Sequence, residues 1–427
     1  MSATVTATPW LRPGKSHVSP WNFLPELEAQ RDFPPGRKVL VTDGTIRAFM
    51  GSEPGALVRV DDMVGIARTL DEMGVVQIRL PGGSELAVEV AKAIARSGVK
   101  VARCGAIGID TARLTQAIDE NLRSDVQEVE LEYGPLPPKQ GFDYTEAAFS
   151  AAERVAEAVV RAGFRFGFGF NIDPEARLDY MLEFYRRMRK YDPIMFRIYD
   201  PFTCVGPEAM GWLVRKIRAD QGPGCPPLVL HTHNAWGFGA FINIAAVQAG
   251  LAGVDIAANC LGNKAGHTDF AGTVMGLECL YGVDTGIKTE LLSQLAYQVE
   301  KAMGTPLHPN TPFVGRHVFI GEKKILAVRA LLDQAGEELD ITPYSSHMVG
   351  LTKRVVWGSH VTTELVRTKL RLMRIEATDD LVTAIQSAIQ QRVAEITTYP
   401  VWIEDPEAEE IIRAMAGRRA QPIAKRG

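Results

Sequence analysis

Two histidines separated by one residue stand at the end of an apolar segment. Residues 227–230 read Pro-Leu-Val-Leu, and His231, Thr232 and His233 follow directly. The apolar run predicts a buried strand, in which alternate side chains share a face, so both imidazoles point the same way. Two neutral imidazoles at this spacing supply half of a first-row metal site. Histidines that only hydrogen-bond to loop carbonyls would show the same spacing, so both interpretations stay open on this motif alone.

Two other segments carry side chains suited to related chemistry. Residues 41–47 read Val-Thr-Asp-Gly-Thr-Ile-Arg, which puts Arg47 beyond the end of the first predicted strand. An arginine at that place is a natural partner for a carboxylate or an enolate oxygen, although a surface arginine looks the same in sequence. Residues 260–268 form a glycine-rich segment after the last predicted strand, and this segment carries a third histidine, His267.

The elements that must position these residues alternate along the chain. Short apolar segments are each followed by an amphipathic helical segment of about 10 to 15 residues, as in βα units. The predicted strands are Lys38 to Thr42, Val75 to Leu80, Val99 to Ala102, Glu128 to Glu132, Arg165 to Phe170, Met195 to Tyr199, Leu228 to His233 and Val254 to Ala258. Eight such units favour the α/β class and a (β/α)8 TIM barrel, with a doubly wound sheet as the alternative. In a barrel, all the segments described above meet at one rim.

The rhythm also predicts how the chain is divided. Residues 1–36 are rich in proline, serine and tryptophan without a sustained period, and we expect them to form an N-terminal arm. Residues 37–290 form the predicted catalytic barrel. Three prolines between residues 306 and 312 indicate a linker over residues 291–315. The remainder, residues 316–427, is expected to form mainly helical C-terminal subdomains.

Composition excludes several classes of protein. The 427 residues are 46% hydrophobic and 23% charged, with a formal net charge of -4, which argues against a nucleic-acid surface. The five cysteines are scattered without a CxxC pair, so neither a disulfide framework nor a thiolate zinc site is indicated, and a reducing cytoplasm fits best. With no signal organisation and no apolar run of about 18 residues, we expect no membrane association.

Three of these segments resemble, in order, motifs of the DRE-TIM metallolyase superfamily. Its first strand carries Asp-Thr-Thr-Leu-Arg-Asp-Gly, its seventh ends in His-x-His-Asn-Asp, and its eighth is followed by Gly-x-Gly-Glu-Arg-Ala-Gly-Asn. Residues 43–47, 231–234 and 262–266 are similar to these patterns. The likeness is greatest to the branch of isopropylmalate, citramalate and homocitrate synthases. It extends over residues 38–411, with further similar segments at residues 311–316, 348–350 and 357–360.

The chain departs from the family at positions that carry chemistry. Ala48 stands where the family has a metal-binding aspartate after the arginine, and Arg79 stands where it has a glutamate on strand two. Ala235 replaces the acidic residue after His-x-His-Asn. The histidine that assists proton abstraction in the synthases corresponds to Gly321, with Glu322 retained beside it. These changes indicate a rebuilt site.

One replacement indicates how a metal is held in such a site. The family's loop asparagine, near or on the metal, corresponds to His267. With this change, the resemblance implies that His231, His233 and His267 bind a divalent metal, whether zinc, manganese or magnesium, with Asp43 as a fourth ligand or a group behind the ligands. The alternative is that the metal was lost and the histidines bind only substrate.

The resemblance also implies roles for other residues. Arg47 is expected to act catalytically by stabilising an enolate or alkoxide oxygen, with Glu322 as a second catalytic residue. Arg103, expected at the end of strand three, would bind a substrate carboxylate, and Arg79 would make the pocket more cationic. Thr203 loosely matches the family's Asp-Thr-x-Gly turn and is expected to bind substrate.

The function implied is that of a homodimeric enzyme that joins an acyl-CoA thioester to a 2-oxo acid by Claisen-type condensation. The region after the barrel favours a synthase over the hydroxymethylglutaryl-CoA lyase type, which typically lacks those subdomains. Three alternatives stay open: a carbon-carbon lyase working in the cleavage direction, a catalytically silent paralogue that acts as a binding partner, and a metal-independent enzyme that uses Arg47 and Arg79 electrostatically. In the enzymatic interpretations the partners are small-molecule substrates.

Overall fold

The chain folds into two compact units. The computed structural model describes residues 18–33, 36–53, 55–109, 111–134, 145–321, 327–328, 330–332 and 343–419. Contacts between Cα atoms divide the chain between Leu307 and His308. The division predicted at residues 36, 290 and 315 stays a prediction, although helix Leu292–Met303 lies within the first unit.

The first unit is built on a closed barrel of eight parallel strands. The strands are β1 Leu40–Asp43, β2 Gln77–Arg79, β3 Ala102–Gly108, β4 Glu128–Tyr133, β5 Arg165–Asn171, β6 Met195–Asp200, β7 Leu228–Thr232 and β8 Gly253–Ile256. Each strand pairs with the next in sequence, and β1 pairs with β8 to close the barrel, with Leu40 opposite Gly253. The predicted (β/α)8 barrel is confirmed, and the doubly wound alternative is wrong.

Helices connect the strands on the outside of the barrel. They follow a short helix, α1 Pro25–Glu28, and are α2 Thr45–Gly51, α3 Val60–Met73, α4 Glu85–Arg96, α5 Leu114–Arg123, α6 Glu146–Arg161, α7 Leu178–Arg189, α8 Pro207–Gln221, α9 Gly239–Gln248, α10 Phe270–Tyr281 and α11 Leu292–Met303. Helix α3 shows why they form. Asp61 and Asp62 occupy its first turn, where the helix dipole favours negative charge, and Gly74 ends it in the left-handed conformation. Met63, Ile66 and Leu70 form its buried face.

Strand β3 begins where the sequence predicted its end. Val99 and Val101 are buried in the connection that leads into it, and the strand continues through Gly105 to Gly108. Glycine and alanine have low strand propensity, which is why the pattern of apolar residues predicts a strand only at the valines. Gly105 is required here because a Cβ atom at this position would approach Asn121 Oδ1 to 1.7 Å.

The interior of the barrel is strongly polar. Because alternate residues of a strand share a face, Glu128, Glu130 and Glu132 of β4 lie on one side of the strand, and side chains from other strands contact them inside the barrel. The other faces of the strands pack under the helices, where Phe168 of β5 stacks on Phe184 of α7 with ring centroids 5.7 Å apart. Apolar packing therefore surrounds a charged centre.

The second unit combines a small sheet with helices. Its strands are β9 Ile320–Gly321, β10 Arg354–Trp357 and β11 Ile403–Glu404, in the order β11-β10-β9. Its helices include α12 Thr363–Leu372, α13 Asp379–Ala394 and α14 Asp405–Arg419. The core is apolar around the fully buried Trp357, whose Nε1 donates a hydrogen bond to Asp405 Oδ1 at 2.9 Å. The predicted mainly helical C-terminal region is confirmed, with the sheet as an addition.

Among the described helices, none combines the length and the apolar character that crossing a membrane requires.

Candidate functional site

Three histidine side chains meet at the carboxyl end of the barrel. His231 lies in β7, and His233 follows that strand and forms an isolated backbone bridge with His267 of the loop after β8. The ring centroids are 5.4 Å apart for His231 and His233, 4.7 Å for His231 and His267, and 4.5 Å for His233 and His267. One nitrogen of each ring lies within 4.8 Å of the other two, which is close enough for a single cation to contact all three.

The loop after β8 holds the third ring by a close backbone approach. A Cβ atom at Gly262 would lie 2.6 Å from Cδ2 of His267 and 2.8 Å from its Nε2, so the ring occupies space that any other residue at position 262 would fill. Gly262 also has a φ of 141°, a conformation that other residues rarely adopt. The glycine of this loop therefore sets the place of the third imidazole.

Two of the imidazoles present nitrogen atoms that are buried and unpaired. The three rings are only 3–4% exposed. Nδ1 of His233 and Nδ1 of His267 have no hydrogen-bond partner among the described residues. An unpaired polar atom in a buried place is costly, so these two atoms are suited to bind a ligand.

All three rings are held in their neutral form. Burial, together with the neighbouring His231, lowers the pKa of His233 to about 3. Burial also lowers the pKa of His267 well below its usual value and lowers the pKa of His231. The neutral imidazole is the form that binds a metal through its lone pair.

His231 differs from the other two because its Nδ1 has a partner. Nδ1 lies 2.7 Å from Oδ2 of Asp255 on the neighbouring strand β8. Burial opposes ionisation of this carboxyl, but Arg197 and Arg79 hold the pKa of Asp255 well below its usual value. An ionised carboxylate accepts hydrogen bonds, so Nδ1 of His231 carries the proton and Nε2 is left with the lone pair.

Arg47 lies beside the cluster. A series of contacts through Glu132, Arg79 and Asp255 joins it to His231. Its charge helps to lower the pKa of all three histidines. The side chain is partly exposed and donates from Nη2 to Oε1 of Glu132 at 3.2 Å. Burial acts to raise the pKa of Glu132, but Arg47 and Arg79 bring it down to about 2. Arg47 is thus anchored by an anion while part of it faces the mouth of the barrel.

Arg79 does not lie where its predicted role requires. It is 1% exposed and points into the barrel, where Nη1 donates to Asp255 at 3.0 Å and Nη2 donates to Glu132 at 2.6 Å. Its Nη2 also donates to the hydroxyl of Tyr199. The guanidinium is occupied by protein partners, so the prediction that Arg79 binds substrate needs correction on structural grounds.

Arg103 lies at the opposite end of the barrel from the histidines. Because β3 runs from Ala102 to Gly108, this arginine is at the amino end of the strand instead of the carboxyl end. Its Nη2 donates to the carbonyl of Asp125 at 2.9 Å and pairs with the carboxylate of the same residue. The structure therefore separates Arg103 from the cluster, and its predicted contact with a substrate carboxylate needs correction.

Thr203 and Asp43 lie at the same end of the barrel as the cluster but are turned to other partners. The hydroxyl of Thr203 accepts from the backbone of Ala235 at 3.5 Å, and its carbonyl accepts from Trp236 at 2.8 Å. Both carboxylate oxygens of Asp43 accept from Thr45 at 2.8 Å. Burial raises the pKa of Asp43 to about 7. Asp43 is not part of the three-histidine group. Its contacts with Thr45 suit a residue behind the ligands better than a fourth ligand.

Two further positions singled out in the sequence are Glu322 and Ala48. Glu322 lies outside the described residues. Ala48 is fully buried in α2, so the usual aspartate position contributes an apolar methyl group.

Sequence reasoning missed two carboxylates, Glu132 and Asp255, that hold Arg47 and His231. A signal was present in β4, where charged residues alternate with apolar ones as Glu-Val-Glu-Leu-Glu from residue 128. Such alternation in a strand predicted to be buried indicates charge inside the barrel. Asp255 stands alone in an apolar strand, and its partners lie in strands β1, β2, β6 and β7. No local pattern reveals those contacts.

Cys204, beside Thr203 on the rim, is unsuited to act as a nucleophile. Partial burial of the sulfur, followed by the neighbouring Asp200, raises the pKa of its thiol to about 12, although the residue as a whole is exposed. The thiol is therefore protonated at neutral pH.

Comparisons with known proteins agree with this architecture. A family model described as HMGL-like matches residues 51–299. A putative (R)-citramalate synthase from Methanopyrus kandleri is 28% identical over 356 residues, which cover 83% of this chain and 68% of the relative. A homocitrate synthase from Methanothermobacter thermautotrophicus is 29% identical over 378 residues, which cover 88% of this chain and 92% of the relative.

Solved structures of similar fold include two HMG-CoA lyases. The enzyme from Brucella melitensis superposes with a TM-score of 0.54 at 15% identity, covering 63% of this chain and 100% of the lyase. An HMG-CoA lyase from Acinetobacter baumannii, in complex with coenzyme A and 3-methylmalate, gives a TM-score of 0.55 at 16% identity and covers 72% of this chain and 97% of the lyase. At these identities the likeness establishes a shared barrel fold.

Proposed function

The chain belongs to the HMGL-like family of synthases and lyases, and from that premise we propose that it condenses an acyl-CoA with a 2-oxo acid at a divalent metal held by His231, His233 and His267. The resemblance to the DRE-TIM metallolyases is confirmed by this family membership. The chain is accordingly an enzyme of a family whose named members include citramalate, isopropylmalate and homocitrate synthases.

The donor set supports a cation of the zinc type. Three neutral imidazoles, two of them with unpaired buried Nδ1 atoms, match the nitrogen ligands that zinc and cobalt prefer. Magnesium prefers oxygen ligands, and the aspartate that would supply them is Ala48 here. Of the zinc, manganese and magnesium predicted from sequence, the side chains present favour zinc.

The residues around the cation site divide the work of binding and charge stabilisation. A bound divalent cation would supply Lewis-acid polarisation of a carbonyl oxygen. Arg47, with its guanidinium partly exposed and paired with Glu132, would bind the carboxylate of the 2-oxo acid or stabilise negative charge that develops on the oxygen of an enolate or alkoxide. Glu132 keeps that guanidinium in place.

The extent of the likeness supports the synthase direction. The homocitrate synthase relative aligns with 88% of this chain, whereas the lyase from Brucella melitensis aligns with 63% of it while being covered completely. The chain thus carries sequence beyond the lyase architecture, as the synthases do. The lyase direction is the second candidate, supported by the shared barrel fold of the solved neighbours.

The observation that carries this proposal is the meeting of three buried neutral imidazoles beside Arg47. A thiol-release assay tests the function: metal-free protein is reloaded with Zn²⁺, Co²⁺, Mn²⁺ or Mg²⁺ and given acetyl-CoA with a panel of 2-oxo acids. We expect condensation at the α-carbon of the acyl group, after which water hydrolyses the C–S bond of the condensed thioester and releases free CoA thiol. This release should depend on both the 2-oxo acid and the metal, with Zn²⁺ or Co²⁺ more effective than Mg²⁺.

Absence of thiol release with every acyl-CoA and 2-oxo acid pair, in protein shown to bind the metal, would contradict the synthase proposal. Cleavage of 3-hydroxy-3-methylglutaryl-CoA or a related 3-hydroxyacyl-CoA by the same preparation would establish the lyase direction instead. The predicted cytoplasmic location and homodimer remain proposals, which fractionation and light scattering would test.

A further inference from the structure

The interior of the barrel contains the guanidinium of Arg79, which is linked through one carboxylate to His231 and through another to Arg47. Arg79 points inward from β2 and is 1% exposed. Its Nη1 donates to Oδ2 of Asp255 at 3.0 Å, and its Nη2 donates to Oε1 of Glu132 at 2.6 Å. These two carboxylates belong to β8 and β4, so one side chain spans the interior between strands that are not neighbours.

The first carboxylate orients a proposed metal ligand. Oδ1 of Asp255 accepts from the hydroxyl of Thr42 at 2.7 Å, and Oδ2 accepts from Arg79 and, at 3.4 Å, from Arg197. These donors fix the carboxylate on three sides and leave it aimed at Nδ1 of His231 at 2.7 Å. A carboxylate on the far nitrogen of a ligating histidine sets its tautomer and its orientation.

The second carboxylate anchors the proposed catalytic arginine. Oε1 of Glu132 accepts from Arg79, from Arg47 at 3.2 Å and from the hydroxyl of Tyr199 at 3.1 Å. Because one oxygen atom receives both guanidinium groups, a displacement of Arg79 also displaces the anchor of Arg47. The planar fork of arginine reaches two carboxylates at once, which the single ammonium group of lysine does poorly.

We infer that Arg79 is a positioning residue that sets His231 relative to Arg47 through Asp255 and Glu132. The inference rests on the proposed function, since it assigns Arg79 to the geometry of the same site. It replaces the substrate-binding role predicted for Arg79. The continuous series Arg47, Glu132, Arg79, Asp255 and His231 contains three charge-assisted hydrogen bonds and one short carboxylate–imidazole contact.

Four variants separate the two ends of this series. We expect Asp255→Asn to weaken Co²⁺ binding about 10- to 100-fold, as is typical when a partner behind a ligand is lost, with little change in pyruvate affinity of the Co²⁺-loaded protein. Glu132→Gln should do the reverse, weakening pyruvate about tenfold because a charge-assisted contact to Arg47 is lost. Arg79→Met should weaken both. The control, Glu130→Gln, alters a buried glutamate of the same strand that has no hydrogen-bond partner among the described side chains and should change neither.

The titrations use optical absorption of Co²⁺ for the metal and its change on adding pyruvate for the substrate end. Unchanged binding of both probes by folded Arg79→Met would overturn the inference, as would an equal loss in Glu130→Gln. If Arg79→Met does not fold, Arg79→Lys keeps the charge but reaches one carboxylate well, and we expect it to weaken one probe at least tenfold. Wild-type binding of both probes by this lysine variant would also overturn the inference.

Nuclear magnetic resonance of metal-free protein distinguishes failure of the inference from failure of the proposed function. The chain has eight histidines, so selective ¹⁵N-histidine labelling gives a countable spectrum. We expect His231 to show a proton on Nδ1 in the wild type, with a changed signal in Asp255→Asn and Arg79→Met. If these histidine signals appear as expected in protein that binds no Co²⁺, the metal proposal is wrong and the positioning role of Arg79 stands. If the His231 ring carries its proton on Nε2 in protein that does bind Co²⁺, the positioning role is wrong and the metal proposal stands.

Discussion

Two adjacent regions of the barrel differ in whether their buried polar atoms have hydrogen-bond partners. In the interior, Arg79 and Asp255 satisfy one another and their neighbours through short contacts among β1, β2, β4, β6, β7 and β8. At the rim, Nδ1 of His233 and Nδ1 of His267 are just as buried but have no partner among the described residues. The paired region is suited to hold geometry, and the unpaired one is suited to receive a ligand.

Glu130 is a buried carboxyl group that neither forms hydrogen bonds with the described part of the protein nor belongs to a ligand site. Both of its carboxylate oxygens lack a hydrogen-bond partner among the described residues, and the nearest guanidinium, that of Arg197, is 3.8 Å away. Burial raises the pKa of this carboxyl, favouring the neutral form. The histidines of the rim are also neutral, but their rings converge on one point, and that convergence distinguishes a ligand site from a single buried carboxyl group.

Removing one imidazole is the strongest way to break this comparison. We expect His267→Ala to abolish stoichiometric Co²⁺ binding and to lower turnover at least about a thousandfold, because two imidazoles hold a divalent cation poorly. Isothermal titration calorimetry and the thiol-release assay measure the two effects. His360→Ala, at an exposed histidine of the second unit, is the matched control and should leave both unchanged. Full metal binding by His267→Ala would contradict the proposal that the three histidines of the rim bind the metal.

Arg47→Gln tests the charge beside the cluster without touching a ligand. We expect kcat to fall about 100-fold or more, since a fixed positive charge near developing negative charge contributes several kcal/mol. Metal affinity should stay the same or rise slightly, because Arg47 lowers the proton affinity of the histidines by repelling positive charge. Steady-state kinetics and calorimetry on the same preparation provide the measurement. An unchanged kcat would exclude Arg47 from catalysis.

Gly262→Ala sharpens the comparison by moving a ring without removing it. The added Cβ atom would meet Cδ2 of His267 at 2.6 Å, so the ring must shift and metal affinity should fall about tenfold. Gly163→Ala is the matched control, because Gly163 also has a positive φ but has no atom within 4 Å of a built Cβ. Backbone strain at a positive φ should lower the thermal stability of both variants, but only Gly262→Ala should lose metal affinity. Equal affinities in the two proteins would contradict the placement of the ring.

The pH dependence of metal binding gives the smallest expected effect. With the pKa of His233 lowered to about 3 and the pKa values of His267 and His231 also lowered, protons compete with the metal less than they do at three ordinary imidazoles. We expect Co²⁺ affinity to fall less than about tenfold between pH 8 and pH 5.5, which is the loss that a single ordinary imidazole would cause. Three ordinary imidazoles, with pKa values near 6.5, would lose about a thousandfold over that range. Titration of metal-free protein in non-coordinating buffers decides between them.

Much of the fold follows from local patterns in the sequence. The period of apolar strands and amphipathic helices predicted the barrel, since each βα unit is specified by residues close together in the chain. Strand β3 was misplaced because its residues from Cys104 to Gly108 include small ones that pack well only against their neighbours in the sheet. The order of strands needed no long-range information once the barrel was chosen.

The site was less accessible to sequence reasoning. The sequence predicts His231, His233 and His267 at one rim because strand ends in a barrel meet there, and the structure brings them together. The direction of Arg79 could not be predicted, because whether an arginine reaches solvent or the interior depends on carboxylates that follow it by 53 and 176 residues. Charge pairing inside a barrel is a property of the closed sheet.

Measurement of metal in protein purified without chelators, followed by anomalous diffraction at the absorption edge of the metal found, tests the central claim most directly. We expect one divalent cation per chain, with nitrogen atoms of His231, His233 and His267 about 2.0 to 2.1 Å from the anomalous peak. A protein that stays metal-free after loading with Zn²⁺ and Co²⁺, or a peak more than about 4 Å from the three rings, would contradict the account.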